Sequence, residues 1–283
     1  MRLAFTSDLH AEHHVEVVDL ITRRAVEAGV DVLIVAGDVT PDLAELARVL
    51  RHFREHVPRV AFVPGNHDLW CSAATPDSRT RYFEAMPELC AAAAVDYLPS
   101  GPVVLDGVTL VGQTGWYDYS LRDPALDVPM SAYERGVLGT LSWSDKRFVV
   151  WPGADDRERS ALMTARLAAD LAAAPRDRPA WVVTHMLPFV DLVARRPLPW
   201  GFIGGFLGSS ALGDVIVEAA ESGLEVTQVV SGHTHLRRAT TVAAGARSFP
   251  AETSPIGYPR EVLLFGSGSL EEHVNSRLRI VSA

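Results

Sequence analysis

Polar side chains that could bind metals or transfer protons follow three successive apolar runs near the N-terminus. Asp8 and His10 follow the first run, Asp38 the second and Asn66 the third. Asp8, Asp38 and Asn66 are 30 and 28 residues apart, close to the roughly 30 residues of one βαβ unit. Because the carboxyl ends of parallel strands share one edge of a sheet, we expect these side chains to meet there.

Two later apolar runs, 181–183 and 226–230, lead into His185 and into His233 and His235. A single polar residue after a strand is usually a turn residue or a helix cap. Oxygen and nitrogen donors at five strand ends, in chain order, instead indicate a binding site. Imidazole, carboxylate and amide donors without thiolate suit Mn, Fe or Zn better than Mg or a cysteine-ligated zinc site.

The five clusters resemble the motifs of the calcineurin-like metallophosphoesterase superfamily. In order they read Asp-x-His, Gly-Asp, Gly-Asn-His-Asp, a single His and Gly-His-x-His, and they span Asp8 to His235. One difference is Thr184 before His185, where the family often has glycine. The resemblance implies an α/β fold of the four-layer αββα sandwich type. It also implies an enzyme that hydrolyses phosphoric esters.

The resemblance also implies roles for individual residues. One metal ion would be held by Asp8, His10 and His235, and the other by Asn66, His185 and His233, with Asp38 bridging both. Two divalent ions about 3.5–4 Å apart can clamp phosphoryl oxygens and convert a shared water into hydroxide, which attacks phosphorus. We expect Mn, Fe or Zn as the ions, with Mn most effective in vitro.

His67 and Asp68 complete the third motif without being counted as ligands. The resemblance makes His67 the acid or charge stabiliser near the leaving-group oxygen, with Asp68 orienting its ring. Asp68 as the cap of a following helix is the alternative interpretation.

Aromatic residues are concentrated in the insertion, which we place at about 113–153. A cap that stacks on a flat substrate through Trp116 and Tyr117 is one interpretation, and a small core under a long loop is the other. Trp70 follows the third motif and is a further candidate for substrate contact. Arg195 and its neighbour Arg196 are candidate phosphate contacts, or else part of a solvated basic face. The glycine-rich run 198–207 fits a flap, a partner-contact patch or a buried loop.

The elements that must position these residues alternate between strand and helix. The first 70 residues predict βαβαβ, with Thr40 as the cap and Pro41 as the first residue of the second helix. Later patterns predict a hairpin around Asp106-Gly107, helices at 155–174 and 210–221, and a short β run at 262–265. No repeat or linker divides the chain, so we expect one domain over 1–283.

Composition limits the possible partners. The 283 residues carry 26 basic and 35 acidic side chains, a net charge of −9, which disfavours binding of long nucleic acids. A bound metal can reverse the sign of charge locally, so one phosphate group is not excluded. Without a signal peptide, a long apolar segment or a cysteine framework, the sequence predicts a cytoplasmic protein with no membrane contact. Its oligomeric state is left open.

The resulting functional hypothesis is a dinuclear-metal phosphohydrolase that acts on a small, nucleotide-like phosphate ester. The alternative is a phosphodiesterase acting on a cyclic nucleotide or another diester, because both chemistries use the same metal clamp. A scaffold that keeps the fold without turnover is a weaker hypothesis, because every residue of the ligand set is present.

Overall fold

The computed structural model describes residues 1–71, 76–264 and 268–282. The strands are β1 (Arg2–Thr6), β2 (Val32–Val35), β3 (Arg59–Phe62), β4 (Asp96–Tyr97), β5 (Val103–Val104), β6 (Thr109–Gln113), β7 (Val137–Leu138), β8 (Leu141–Ser142), β9 (Ala180–Thr184), β10 (Val226–Ser231), β11 (Arg238–Ala244), β12 (Arg247–Thr253) and β13 (Arg279–Ser282). The α-helices are α1 (Glu16–Glu27), α2 (Leu43–His56), α3 (Ser78–Thr80), α4 (Met86–Ala92), α5 (Met130–Arg135), α6 (Asp145–Phe148), α7 (Asp156–Ala173), α8 (Ser210–Glu221), α9 (Pro259–Leu264) and α10 (Leu270–Arg277). Short 3₁₀ helices lie at Leu98–Ser100, Val190–Leu192 and Trp200–Phe206, and a π-helix at Arg81–Ala85.

The strands form two main sheets with parallel centres. The first has the order β13-β1-β2-β3-β4, with β1 to β4 parallel and β13 antiparallel to β1. The second has the order β11-β12-β10-β9-β6-β5, with β12, β10, β9 and β6 parallel. The predicted βαβαβ start is therefore confirmed, and so is the hairpin, which β5 and β6 form.

Alternate side chains of each central strand belong to two different cores. In β1, Leu3 and Phe5 pack with Trp181 of β9 between the sheets, whereas Ala4 packs with the helices. The same alternation holds in β2, where Ile34 faces the other sheet and Leu33 the helices. A strand buried on both faces reads as a continuous apolar run, which explains the sequence pattern. The layers are helix, sheet, sheet and helix, as the αββα prediction requires.

Two details of the predicted secondary structure are wrong. The cap of α2 is Asp42, which accepts the backbone N–H of Glu45, and not Thr40. The N–H of Thr40 instead donates to Asp68, which keeps the chain in a loop for two more residues. The sequence predicts a β run at 262–265, but 259–264 is helical because a proline at the first position starts a helix; residue 265 lies outside the described residues.

The insertion at about 113–153 contains α5, the β7–β8 hairpin and α6 between irregular segments. The organisation of residues 1–283 as one domain stays a prediction. Across the described ranges, no helix combines the length and apolar character needed to cross a membrane.

Asp68 ties together the two loops that follow β2 and β3. Its carboxylate accepts the backbone N–H groups of Asp38, Val39, Thr40 and Gly65 at 2.7–3.0 Å. Burial and the nearby charge of Asp38 raise the pKa of Asp68 to about 7, so this carboxyl is costly to keep charged. The hydrogen bonds of the Asp68 carboxylate go to backbone N–H groups and not to the ring of His67. Asp68 is thus neither a ring-orienting residue nor a helix cap, and it holds the loops in register.

We expect Asp68→Ala to lower the free energy of unfolding by about 3 kcal/mol or more, because four buried N–H groups lose their acceptor. Urea unfolding in the presence of EDTA measures this without a contribution from metal binding. The matched control is Asp42→Ala, which removes an exposed cap and should cost about 1 kcal/mol. Equal losses in the two variants would contradict the role given to Asp68.

Candidate functional site

The carboxyl ends of β1, β2, β3, β9 and β10 meet where the two sheets adjoin, and the predicted ligand residues meet with them. Ligand atoms of Asp8, His10, Asp38 and His235 lie within 4.8 Å of one another. Those of Asp38, His185 and His233 form a second such group. Asp38 belongs to both, and these side chains are buried except for His235, which is partly exposed.

Asn66 joins the second group through its amide oxygen. Its Oδ1 lies 2.9 Å from Nε2 of His185, and the residue is 1% exposed. The amide Nδ2 points the other way and donates to Asp145 at 2.8 Å. The structure therefore brings all seven residues of the predicted ligand set to one place.

The backbone at these residues is held in an uncommon conformation. Among the described residues, seven other than glycine have positive φ, and five of them are Asp8, His10, Asp38, His233 and His235. Such backbone costs on the order of 1–3 kcal/mol per residue and is concentrated at functional sites. The turns after the strands are thus shaped to aim these side chains inward.

Close approach of the loops requires glycine at two positions. A Cβ atom at Gly65 would overlap Oδ1 and the backbone nitrogen of Asp38. A Cβ at Gly37, where φ is +88°, would press on the backbone of Gly65 and on the ring of His185. Only residues without a side chain let the loops after β2 and β3 lie this close to the ligand residues.

Two buried carboxylates dominate the electrostatics. Burial alone would raise the pKa of Asp8, but the hydrogen bond and charge of His235 outweigh it and leave that pKa lowered. At Asp38, burial is likewise outweighed, here chiefly by His185, and the pKa lies well below its ordinary value. Within the described residues, the ion-pair partners of both carboxylates are histidines and not arginine or lysine.

The histidines respond to this charge in two ways. Burial would lower the pKa of His185 and of His235, but Asp38 raises the first to about 9, and Asp8 and Glu261 raise the second to about 10. Burial lowers the pKa of His233 to about 3 and that of His10 well below its usual value. The carboxylates thus attract positive charge, while His10 and His233 stay neutral, as metal ligands must be.

One ring nitrogen of each of three histidines is occupied by another part of the protein, which leaves the other for the centre. Nδ1 of His185 bonds the carbonyl of Ala36 at 2.8 Å, and Nε2 of His233 bonds the carbonyl of Phe206 at 3.1 Å. Nδ1 of His235 lies 2.8 Å from the carboxylate of Glu261. Such partners fix the ring orientation of metal-binding histidines. The nitrogens that face the centre are Nε2 of His185 and His235 and Nδ1 of His233.

His10 differs from these three histidines, because its Nδ1 has no hydrogen-bond partner in the described part of the chain. Its Nε2 lies 3.0 Å from Nε2 of His235, and its Nδ1 is 3.9 Å from Oε1 of Glu12. His10, Glu12 and His67 also lie close enough to form a third group of possible ligands. Nε2 of His10 faces the first group, and Nδ1 faces Glu12 at a distance too long for a hydrogen bond.

His67 stands at the edge of the centre with its ring between aromatic neighbours. Its backbone N–H donates to Asp38 at 2.8 Å, and its ring stacks on Trp70 with centroids 3.7 Å apart. Its Nε2 is 3.4 Å from the hydroxyl of Tyr258, whose ring stacks on His10. A half-buried imidazole beside a hydroxyl can give or receive a proton at a bound ester.

A pocket of about 530 Å³ opens from the centre, and we call it the aromatic pocket. Its lining includes Trp70, Trp143, Trp200, Tyr258, Arg196 and Arg260, and it reaches Asp38, Asn66 and His233. This volume is typical of sites for small organic molecules. The pocket combines apolar walls with two cationic side chains next to the candidate metal groups.

Several predicted substrate contacts lie elsewhere. Trp116 and Tyr117 have no exposed surface, so they form core under the insertion and not a stacking cap. Arg195 donates to the carbonyl of Leu121 and is not part of the aromatic pocket, which its neighbour Arg196 lines instead. Trp70 does line it. The run 198–207 is largely buried and contributes exposed Trp200.

Sequence reasoning missed several residues of the site, among them Asp145, Tyr258 and Glu261. None belongs to a strand-end motif, and no periodic pattern surrounds them. Tyr258 and Glu261 follow Gly257, whose φ of +82° turns the chain back towards His235. The aromatic residues beside Asp145 are the one available signal, and in the sequence they indicate only a cap or a small core.

The chain is similar to a known protein family and to several solved structures. The calcineurin-like phosphoesterase family matches residues 1–237. No curated protein matches the chain significantly.

Among solved structures, a phosphopantetheinyl hydrolase from Mycobacterium tuberculosis is similar, at 24% identity and a TM-score of 0.73 over 99% of this chain and 95% of that one. A Thermus thermophilus protein has 14% identity and a TM-score of 0.54 over 99% and 98%. A dimetal phosphatase from Danio rerio has 14% identity and a TM-score of 0.51 over 89% and 86%. At these identities the structures show a shared fold, and the family match over residues 1–237 shows that the chain belongs to the calcineurin-like phosphoesterases.

Proposed function

We propose that this phosphoesterase uses two divalent metal ions to hydrolyse a small phosphate ester seated in the aromatic pocket. The observation that carries the proposal is the shared position of Asp38, which belongs to both candidate metal groups. A short carboxylate between two sets of donors suits two neighbouring ions. When bound, such ions polarise the phosphoryl group and supply an activated water.

The proposed ligands follow from the ring nitrogens that face the centre. Asp8, His10 and His235 hold one ion, and Asn66, His185 and His233 hold the other, with Asp38 between them. The two buried carboxylates, paired only with histidines in the described residues, fit a cationic occupant. Nitrogen and oxygen donors favour Mn, Fe or Zn.

His67 is the proposed proton donor to the leaving-group oxygen. It reaches the aromatic pocket while its backbone is fixed on Asp38. The hydroxyl of Tyr258 lies 3.4 Å from Nε2 of His67, and because burial raises its pKa it stays a neutral hydrogen-bonding group there. The neighbour of the His67 ring is thus Tyr258 and not Asp68, whose carboxylate bonds go to the loops.

The substrate is a phosphate ester with an organic arm. A volume of about 530 Å³ exceeds the needs of a bare phosphate, and indole and phenol walls suit an arm with apolar or flat parts. The similarity to a phosphopantetheinyl hydrolase supports an ester that carries an organic arm. A nucleotide-like monoester and a diester are the alternatives, because the same residues serve both.

A hydrolysis panel with Mn²⁺ tests the activity. It compares aryl monoester, aryl diester, cyclic nucleotide, nucleoside monophosphate and phosphopantetheinyl ester. We expect Asp38→Asn to lose more activity than the roughly 10- to 100-fold that removal of a ligand's supporting partner costs. Asp42→Asn, an exposed aspartate, is the matched control. Metal-independent hydrolysis, or full activity of Asp38→Asn, would contradict the proposal.

We expect Glu261→Leu to weaken Mn²⁺ binding by about 10- to 100-fold, because His235 loses the hydrogen-bond acceptor that fixes its ring. Calorimetric titration with Mn²⁺ measures the affinity. Glu271→Leu, which removes only an exposed ion pair with Arg23, should bind as the unchanged protein does. Identical affinities in the two variants would refute a supporting role for Glu261.

Trp200, whose indole is exposed in the aromatic pocket, allows a test of whether the pocket binds the substrate. Trp200→Ala should raise KM about 2- to 10-fold for the preferred ester and leave Mn²⁺ affinity unchanged, since aromatic contacts contribute about 0.5–1.5 kcal/mol. Steady-state kinetics provide the measurement. Val190→Ala, an exposed apolar residue outside the pocket lining, should leave KM as it is. An unchanged KM in Trp200→Ala would place the substrate elsewhere.

A further inference from the structure

Asp145 connects the second candidate metal group to the wall of the aromatic pocket. It begins helix α6 in the insertion and is 2% exposed. One carboxylate oxygen, Oδ1, accepts Nδ2–H of Asn66 at 2.8 Å and the indole N–H of Trp70 at 2.6 Å. The other, Oδ2, accepts the indole N–H of Trp143 at 2.9 Å. Three donors thus converge on one buried carboxylate.

The bond to Asn66 decides which end of its amide faces the centre. Both oxygens of Asp145 already accept indole N–H groups, one from Trp70 and one from Trp143, so the side of Asn66 that meets Oδ1 is its NH₂ group. The opposite side, Oδ1, is then the atom beside Nε2 of His185. A reversed amide would present N–H donors to the metal position, and an ion cannot use them as ligands.

The two indoles extend this arrangement into the aromatic pocket. Trp70 stacks on His67 on one side and on Phe148 on the other. Trp143 stacks on Phe206 and meets the ring of His233 edge-on, with centroids 5.8 Å apart. The same carboxylate therefore holds an amide of the centre and two walls of the pocket.

We propose that Asp145 is a positioning residue that locks the amide oxygen of Asn66 towards the second metal ion and anchors Trp70 and Trp143 beside it. The proposal rests on the proposed function, because it takes Asn66 as a ligand. It adds that the insertion supports one of the two ions. Removal of the acceptor at Asp145 should affect that ion and leave the one held by Asp8 in place.

Two variants of similar size distinguish the effect of the hydrogen-bond acceptor at Asp145 from the effect of its negative charge. Asp145→Leu removes charge and acceptor, and should lower Mn²⁺ affinity at one of the two positions about 10- to 100-fold. Asp145→Asn removes the charge but keeps one oxygen. That oxygen satisfies both Asn66 and Trp70 when it takes the place of Oδ1, while the new NH₂ group faces Trp143, whose indole N–H loses its acceptor. Because the lost bond lies at the pocket wall and not at Asn66, we expect at most about a threefold change in Mn²⁺ affinity. Trp143→Phe, the control for the wall alone, should keep both affinities.

Calorimetric titration with Mn²⁺ and metal counts per chain give the readout, with circular dichroism to verify folding. Two ions in the unchanged protein support the proposed function whatever the variants do. The positioning proposal depends on the variants instead. It is overturned if Asp145→Leu binds both ions normally, if Asp145→Asn loses as much as Asp145→Leu, or if folded Asp145→Leu loses both ions equally.

A second pair of variants tests the same proposal if Asp145→Leu does not fold. Asn66→Asp places a second carboxylate against Asp145 and should weaken one Mn²⁺ position through repulsion. Adding Asp145→Asn restores a donor opposite the new carboxylate, so the double variant should recover at least about tenfold in affinity. No recovery would show that residue 145 does not orient residue 66, and would overturn the proposal.

Discussion

The burial of two carboxylates, Asp8 and Asp38, is the constraint on which the rest of the structure depends. An unpaired charge in a protein interior is strongly unfavourable, so every nearby element must compensate it. The backbone N–H of His233 donates to Asp8, and the backbone N–H of His67 donates to Asp38. The left-handed turns at five ligand residues, and the glycines that let the loops approach, all serve to bring donors around these two groups.

Much of the fold and most of the centre could be predicted because both follow from one regular pattern. Parallel strands of one sheet end at a common edge, so side chains that follow Val35 and Phe62 become neighbours in space. The packing of the two sheets then brings His185, which follows Thr184, against Asn66. The αββα layering is likewise encoded in unbroken apolar runs, since alternate residues such as Leu33 and Ile34 enter different cores.

The remainder could not be predicted because it depends on tertiary contacts that leave no local pattern. Glu261 supports His235 from a short helix that reads as a β run, and Asp145 reaches Asn66 across 79 positions of sequence. Composition also cannot separate a buried aromatic from an exposed one. Trp116 and Tyr117 fill a core, whereas Trp200, from a glycine-rich run, reaches the aromatic pocket.

The pairing of β13 with β1 has a consequence for how the molecule is made. β1, β2 and β3 can pair as soon as they are synthesised, but one edge of β1 stays open until β13 arrives, and open edges invite wrong pairing. Contacts between such distant segments also slow folding. Because Glu261 and β13 come late in the chain, the bond that fixes the ring of His235 and the last strand of the first sheet can form only after the other strands have been made.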